Sequence, residues 1–344
     1  MISKKVQGLT PYVAGEQIAG GFIKLNTNEN PYPPSPKVAE VLHGFNTEEL
    51  RLYPDPNSTL LTQAIAKHEG VKSENVFLGN GSDEILGFAF LALFEKSVAF
   101  ADVTYSFYPV YCDLLNLKPV IVPVEKDFSV DLGAYKNIKS GGIVVCNPNA
   151  PTSLSNKAET ILDLVDNVSC NVLVDEAYID FAVNSRSLAK EAAARKNMLV
   201  VKTFSKSYSL AGLRCGYAVG SKELIDGLNR VKNCFNSYTL GRIVQAAAMA
   251  AIGDREYFKK TVGSVIHIRN EVTSVLKESG HTVLDSDANF IFVKHKSMEG
   301  NKVYTTLKEK GILVRHWQKA RIGEYVRVTI GKQENMTKFL ETFG

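Results

Sequence analysis

Closely spaced cysteines are absent from this chain. Its five, Cys112, Cys146, Cys170, Cys215 and Cys234, are scattered, odd in number and free of any CxxC pair. Neither a disulfide framework nor a thiolate metal site has the spacing it needs, so they read as reduced, mostly packed thiols. The six histidines are dispersed as well, with no HExxH or HxH pair, and no metal site is expected. Long apolar runs are missing too: the longest, Ile85 to Phe94, is about half of a bilayer span. Lys4 and Lys5 are not followed by the apolar stretch of a signal peptide. A soluble, cytoplasmic protein without a membrane partner is therefore expected. Excess charge is small, +4 over 344 residues, and no basic stripe is interleaved with aromatics, so no nucleic-acid partner is expected. A few cationic pockets for small anions would account for the balance. No GxGxxG follows the first strand, which argues against a nicotinamide-binding enzyme.

What is present is an ordinary folded composition, 45% hydrophobic and 22% charged, at a length that suits two domains better than one core. From about Arg51 to Gly220, short apolar runs alternate with helix-like stretches. Val76 to Leu78, Ser97 to Ala101, Pro119 to Val124, Gly142 to Cys146, Asn171 to Val174 and Met198 to Thr203 read as buried strands. Asp83 to Phe94 and Ala158 to Val165 read as helices between them. Such alternation predicts an α/β fold with a mostly parallel central sheet flanked by helices. The last hundred residues differ: helical periodicity over Asp254 to Ser279, a strand at Asn289 to Lys294, a helix near Lys302 to Lys310, then strands at Ile312 to His316 and Tyr325 to Ile330. This predicts a small α+β domain. The boundaries drawn are 31–240 for the large domain, and 1–30 with 241–344 for the small domain and its N-terminal arm. The Pro-rich stretch Asn30 to Pro36 is the link between arm and large domain.

Polar residues collect where the strands end. One apolar strand runs into Ser205-Lys206 and a small-residue turn leading to Arg214. A strand that delivers a lysine into a cleft desolvates the amine and makes it nucleophilic, and a hydroxyl and guanidinium beside it suit a phosphate. Alone, this lysine would read as a surface residue after a strand. Val172 to Val174 ends in Asp175, with Tyr178 three residues on, and carboxylates at that edge of a parallel sheet point into the crevice; a helix N-cap is the plainer alternative for Asp175. Gly79-Asn-Gly-Ser-Asp83 precedes a helix expected to start near Glu84. Its glycines would let backbone N–H groups approach a phosphate, although ordinary capping explains the same residues.

Together with Leu25 to Tyr32, Arg51 to Pro54, Gly81 to Asp83, Ala101 to Tyr105, Asn147 to Asn149, Val174 to Tyr178, Thr203 to Lys206, Val314-Arg315 and Val326 to Gly331, these segments follow a family's order through nearly the whole chain. The sequence resembles the fold-type-I pyridoxal-phosphate-dependent aminotransferases and, within them, the histidinol-phosphate aminotransferase family. The resemblance implies that Lys206 carries pyridoxal 5'-phosphate as a Schiff base and shuttles the substrate proton. It implies that Asp175 pairs with the ring nitrogen, that Tyr178 and Asn149 bond the ring hydroxyl, and that Tyr105 stacks on the ring. Ser82, Asp83, Ser205 and Arg214 would hold the phosphate, with Asp83 contributing backbone N–H and capping. Tyr53 would reach the phosphate from a neighbouring subunit, which implies a homodimer with shared active sites. One segment departs from the family: many relatives read Asn-Asn-Pro-Thr-Gly where this chain has Asn149-Ala-Pro-Thr-Ser153. Either Asn149 substitutes through a shifted turn or Tyr178 makes the contact alone.

Two arginines at strand positions, Arg315 and Arg327, suit a carboxylate or phosphate bidentately, and Tyr12 of the arm joins them; Arg321 and His316 read as surface. By the resemblance, the substrates are a small-molecule amine, L-histidinol phosphate, and the 2-oxo acid 2-oxoglutarate, giving imidazole acetol phosphate and L-glutamate in histidine biosynthesis. An aromatic or broad-specificity aminotransferase and threonine-phosphate decarboxylase, of the same family, remain open. A ligand-sensing DNA-binding regulator is not expected, because no helix-turn-helix fits before Asn26.

Overall fold

The computed structural model describes residues 2–18 and 20–344. Seven strands form one sheet in the spatial order Val76–Gly79, Gly216–Gly220, Met198–Thr203, Asn171–Asp175, Gly142–Cys146, Ser97–Ala101, Lys118–Val122. The last five of these run parallel to one another, whereas Gly216–Gly220 opposes both of its neighbours. Inner strands such as Gly142–Cys146 and Met198–Thr203 are buried throughout, as their unbroken apolar sequences require when helices cover both faces. Beneath one face lie Leu61, Ile65, Ile161 and Leu164; over the other lie Ile85, Phe90, Tyr108 and Leu228. The edge strand Lys118–Val122 is largely exposed, and its lysine and proline blunt an otherwise open ladder.

The second unit is a four-stranded antiparallel sheet, ordered Arg315–His316, Tyr325–Thr329, Phe290–Lys294, Thr282–Val283. It packs with the long helix Arg255–Glu278 and the helices Gly300–Glu309 and Gln333–Phe343 around Val265, Ile291, Val328 and Phe339. A boundary at 240 assigns the helix Arg242–Gly253 to this unit. Its buried residues Ala247, Ala248, Ala251 and Ile252 nevertheless belong to the cluster beneath the large sheet.

Three local departures have plain causes. The expected single strand from Ile312 to His316 divides: Ile312–Leu313 pairs in parallel with Ile23–Lys24 of the arm, and Arg315–His316 pairs with Tyr325–Thr329. Periodicity cannot reveal that one run serves two sheets. The helix expected from about Glu84 begins at Gly81, which puts Ser82 and Asp83 inside its first turn. The strand expected to reach Val124 ends at Val122.

Candidate active site

The parallel strands deliver Cys146, Asp175 and Thr203 to one sheet edge, and the loops that follow wall a cavity of ≈ 450 Å³. The arm and the small sheet close it. Of the thirteen residues singled out from the sequence, eleven line this cavity: Tyr12, Ser82, Asp83, Tyr105, Asp175, Tyr178, Ser205, Lys206, Arg214, Arg315 and Arg327.

Lys206 follows the strand Met198–Thr203 and directs Nζ to the carbonyl of Thr27 at 3.2 Å. Burial, reinforced by the Arg327 guanidinium, brings its ammonium down to about 8, while Asp83 and Glu29 hold it up. A lysine so depressed carries an accessible free amine near neutral pH. Asp175 ends its strand fully buried, accepting from the Tyr108 hydroxyl at 2.8 Å and the Ala177 N–H at 3.2 Å. Burial pushes its carboxyl up to about 6 despite those two donors. A buried carboxylate in that condition favours a cationic partner that shares its charge. The Tyr178 hydroxyl, also buried, accepts from Asn28 Nδ2 at 3.0 Å; burial raises it to about 12, against the pull of Arg327 and Asn28.

An anion cradle is built at the start of the helix Gly81–Leu93. Arg214, in the left-handed region at φ 54°, lays Nη2 3.1 Å from Asp83 Oδ2 and Nη1 3.4 Å from Ser205 Oγ. Gly81 has φ +80°, and a Cβ there would stand 2.6 Å from Arg214 Nη2, so only glycine lets the guanidinium lie over this helix end. Hydroxyls of Ser82 and Ser205, a guanidinium and a helix N-terminus together match a phosphate. Asp83 serves through its neighbours, since its carboxylate is taken by Arg214 and by the Tyr105 hydroxyl at 2.9 Å.

Arg315 and Arg327 are direct cross-strand partners, and like charges placed so repel. Arg315 donates to the carbonyls of Ala14 and Val13 at 3.2 and 2.9 Å, and Arg327 to Asn26 O at 2.8 Å. Both guanidinium carbons lie over Trp317, at 5.5 and 5.3 Å from its ring centroid, a weak compensation. Among the described residues Arg327 Nε is buried without a partner. Two facing cations with an unspent buried donor make a receptor for an anion. Tyr12 stacks on Phe107 at 4.8 Å and stands at the same wall.

Two sequence-selected residues lie elsewhere. Asn149 is buried beside the cavity without lining it. Its amide donates to Val103 O and Thr152 Oγ1 at 2.8 and 3.0 Å, and its oxygen accepts from Thr104 Oγ1 at 2.7 Å. The side chain is thus occupied in holding its own turn, and Ala150 faces the cavity instead. Tyr53 is 76% exposed and stacks on Tyr238 at 4.6 Å, outside the cavity. Arg321, read as a surface residue, pairs with Asp102 at 2.9 Å. Conversely, Asn28, Glu29 and Tyr108 belong to the site and were not singled out. The segment Leu25 to Tyr32 carries the family resemblance as a whole, but nothing local says that Asn28 meets a tyrosine so distant in sequence.

Among the described residues no helix is long and apolar enough to cross a membrane. Residues 21–343 match the family model "Aminotransferase class I and II". A histidinol-phosphate aminotransferase of Clostridium botulinum (strain 657 / Type Ba4) is 48% identical over 98% of this chain and 96% of its own length. One from Brachyspira hyodysenteriae is 47% identical over 99% and 97%. Among solved structures, the histidinol-phosphate aminotransferase of Sinorhizobium meliloti in complex with pyridoxal-5'-phosphate superposes with TM-score 0.87 at 23% identity, covering 99% of this chain and 95% of that one. An aspartate aminotransferase of Thermus thermophilus with maleate has TM-score 0.83 at 18% identity, covering 100% and 98%. At those identities the likeness is one of fold.

Proposed function

The chain belongs to the class I and II aminotransferase family, and from that premise we propose that it transfers the amino group of L-histidinol phosphate to 2-oxoglutarate, using pyridoxal 5'-phosphate held on Lys206. The observation that carries this reading is the facing Arg315–Arg327 pair in the same cavity as Lys206 and Asp175. Histidinol phosphate has no carboxylate, so its phosphate takes the arginine pocket, and the carboxylate of glutamate or 2-oxoglutarate takes the same pocket in the other half-reaction. The names of the relatives at 48% and 47% identity support the choice of substrate.

The residues fit the cofactor: the Gly81–Arg214 cradle suits its phosphate, and buried Asp175, with its carboxyl raised to about 6, suits a ring N–H. When bound, the cofactor supplies an electron sink for the bond being broken at the substrate carbon. Asp175 would hold the ring nitrogen in its protonated form, and Tyr108 and the Ala177 N–H hold Asp175. Lys206 would hold the cofactor through Nζ, and the same amine, as a free base, would accept the substrate Cα proton and give it back as an ammonium. Tyr178, oriented by Asn28, would bond the ring hydroxyl, and Tyr105, fixed through Asp83, would stack on the ring. We infer further that a second copy of the chain brings Tyr53 to the phosphate. Its exposure, together with exposed Leu50, Leu52, Phe235 and Tyr238, supports a homodimer through this surface.

The purified protein should be yellow, and adding histidinol phosphate, phenylalanine and aspartate separately tells which amine bleaches the visible band. Bleaching by histidinol phosphate with glutamate formed from 2-oxoglutarate is the expected result. No response to histidinol phosphate removes the substrate, and carbon dioxide release without 2-oxoglutarate points to the decarboxylase instead. Lys206→Ala should abolish both the borohydride-fixed adduct and turnover; parental turnover in that variant refutes the central assignment.

A further inference from the structure

A second cluster of charges, with Lys202 buried and Glu69 and Asp180 partly exposed, adjoins the site. Lys202 lies on the strand Met198–Thr203, and its side chain is only 6% exposed. Its Nζ is 3.1 Å from Glu69 Oε1 and 3.4 Å from Asp180 Oδ1. Glu69 also accepts from the Tyr217 hydroxyl at 2.5 Å. Asp180 follows Asp175 and Tyr178 in one loop, and its other oxygen accepts from Ser207 Oγ at 2.5 Å. Ser207 is the residue after Lys206. The same turn is gripped a second time by the arm, where Asn30 Nδ2 donates to the carbonyls of Lys206 and Ser207 at 3.1 and 3.3 Å.

We propose that Asp180 is a positioning residue for Lys206: anchored by buried Lys202, it holds the Ser207 hydroxyl and so locks the lysine-bearing turn in register with the loop of Asp175 and Tyr178. The proposal rests on Lys206 being the lysine that holds the cofactor. Stability alone accounts poorly for this ion pair. Desolvating both charges offsets most of their attraction, and apolar residues of similar volume would serve as well. What an apolar replacement cannot do is accept the Ser207 O–H in one fixed direction. The Asp180–Ser207 bond joins the two loops that present the proton-transferring amine and the ring-nitrogen carboxylate, and it fixes their register beside the Asn30 contacts. Lys202, paired with both carboxylates, keeps Asp180 ionised and pointed at Ser207.

The test uses the full chain loaded with pyridoxal 5'-phosphate and the variants Ser207→Ala, Asp180→Asn and the double substitution. Three quantities are read: the pH midpoint of the visible absorbance, kcat against KM for histidinol phosphate, and Tm. Each single variant should lower kcat about 10- to 100-fold, the loss typical of a reacting group displaced by about an ångström, with KM within about threefold. Each should also move the absorbance midpoint by about half a unit or more, because the proton it reports is shared with Lys206 Nζ. The double variant should be no worse than Asp180→Asn, as for residues acting through one bond. If Asp180→Asn does not fold, Ser207→Ala decides alone, since it leaves the Lys202–Asp180 pair whole. Variants that lose Tm yet keep the parental midpoint and kcat overturn the proposal. A parent that takes up no colour overturns the cofactor assignment and, with it, this proposal.

Discussion

Arg327 offers the sharpest quantitative test of the anion pocket. Arg327 is half-buried, its fully buried Nε has no partner among the described residues, and only Nη2 is spent, on the carbonyl of Asn26. Burial, with the facing Arg315, depresses its pKa even though Tyr178 and Tyr12 favour the charge. Replacing it by methionine keeps much of the packing against Phe290 and Trp317 while removing one side of a buried, charge-assisted contact to the substrate. Such a truncation costs about 2–5 kcal/mol, or about 30-fold to a few thousand-fold in kcat/KM. Arg315 is already tethered to two arm carbonyls and should lose less, about 1.5–3 kcal/mol, the value of a hydrogen bond to a charged group. Both half-reactions must suffer, because the amine's phosphate and the oxo acid's carboxylate share the pocket. Arg327→Lys should rescue little, since a point charge cannot reproduce a bidentate fork. Single-turnover rates of the two half-reactions, followed by the cofactor spectrum, give these numbers. A loss below tenfold in either half-reaction for Arg327→Met refutes the shared pocket.

Two further outcomes follow from the geometry. Asn149→Ala should destabilise the fold by about 1–3 kcal/mol in urea, because the Thr104 hydroxyl and the Val103 carbonyl lose their partner, yet leave cofactor affinity within about threefold; a tenfold weaker affinity would place Asn149 on the cofactor. His281 and His295 pack at 4.6 Å, and burial lowers the pKa of both. The folded state therefore binds fewer protons than the unfolded chain, so their contribution is full above the ordinary histidine value of about 6.5 and is lost as pH falls below it. His281→Gln, which retains an acceptor for the Lys296 N–H, should flatten the fall of Tm between about pH 6.5 and 5; an unchanged slope removes the pair as its cause.

The sheet was legible because its strands are uninterrupted apolar runs of the right length, and the cavity positions of Asp175 and Lys206 because one ends such a run and the other follows one closely. Asn149 stands beside the cavity rather than in its wall for a physical reason. Its motif fixes a turn, and the turn uses the amide internally, leaving the wall of the cavity to Ala150. Ser153, in the same turn, takes φ +66°, and its N–H reaches Asn149 O at 2.7 Å. Asn28, Tyr108 and the Lys202–Asp180 pair were not legible. Each acts on a residue far away in the chain, and a polar side chain inside an apolar pattern does not announce its partner.

The ladder between Ile23–Lys24 and Ile312–Leu313 joins segments from opposite ends of the polypeptide, and Leu25 O accepts from the Thr329 N–H at 2.9 Å. On the ribosome the seven-stranded sheet can be complete well before either bond has a partner, since all its strands precede residue 221. The arm strand Ile23–Lys24 must therefore wait unpaired through synthesis of the small sheet, although Asn28 and Asn30 find Tyr178 and the Lys206 turn earlier. Assembly of the lysine's surroundings is deferred to the end of translation, so a chain stopped short could possess Lys206 and Asp175 and still lack the walls that make them reactive.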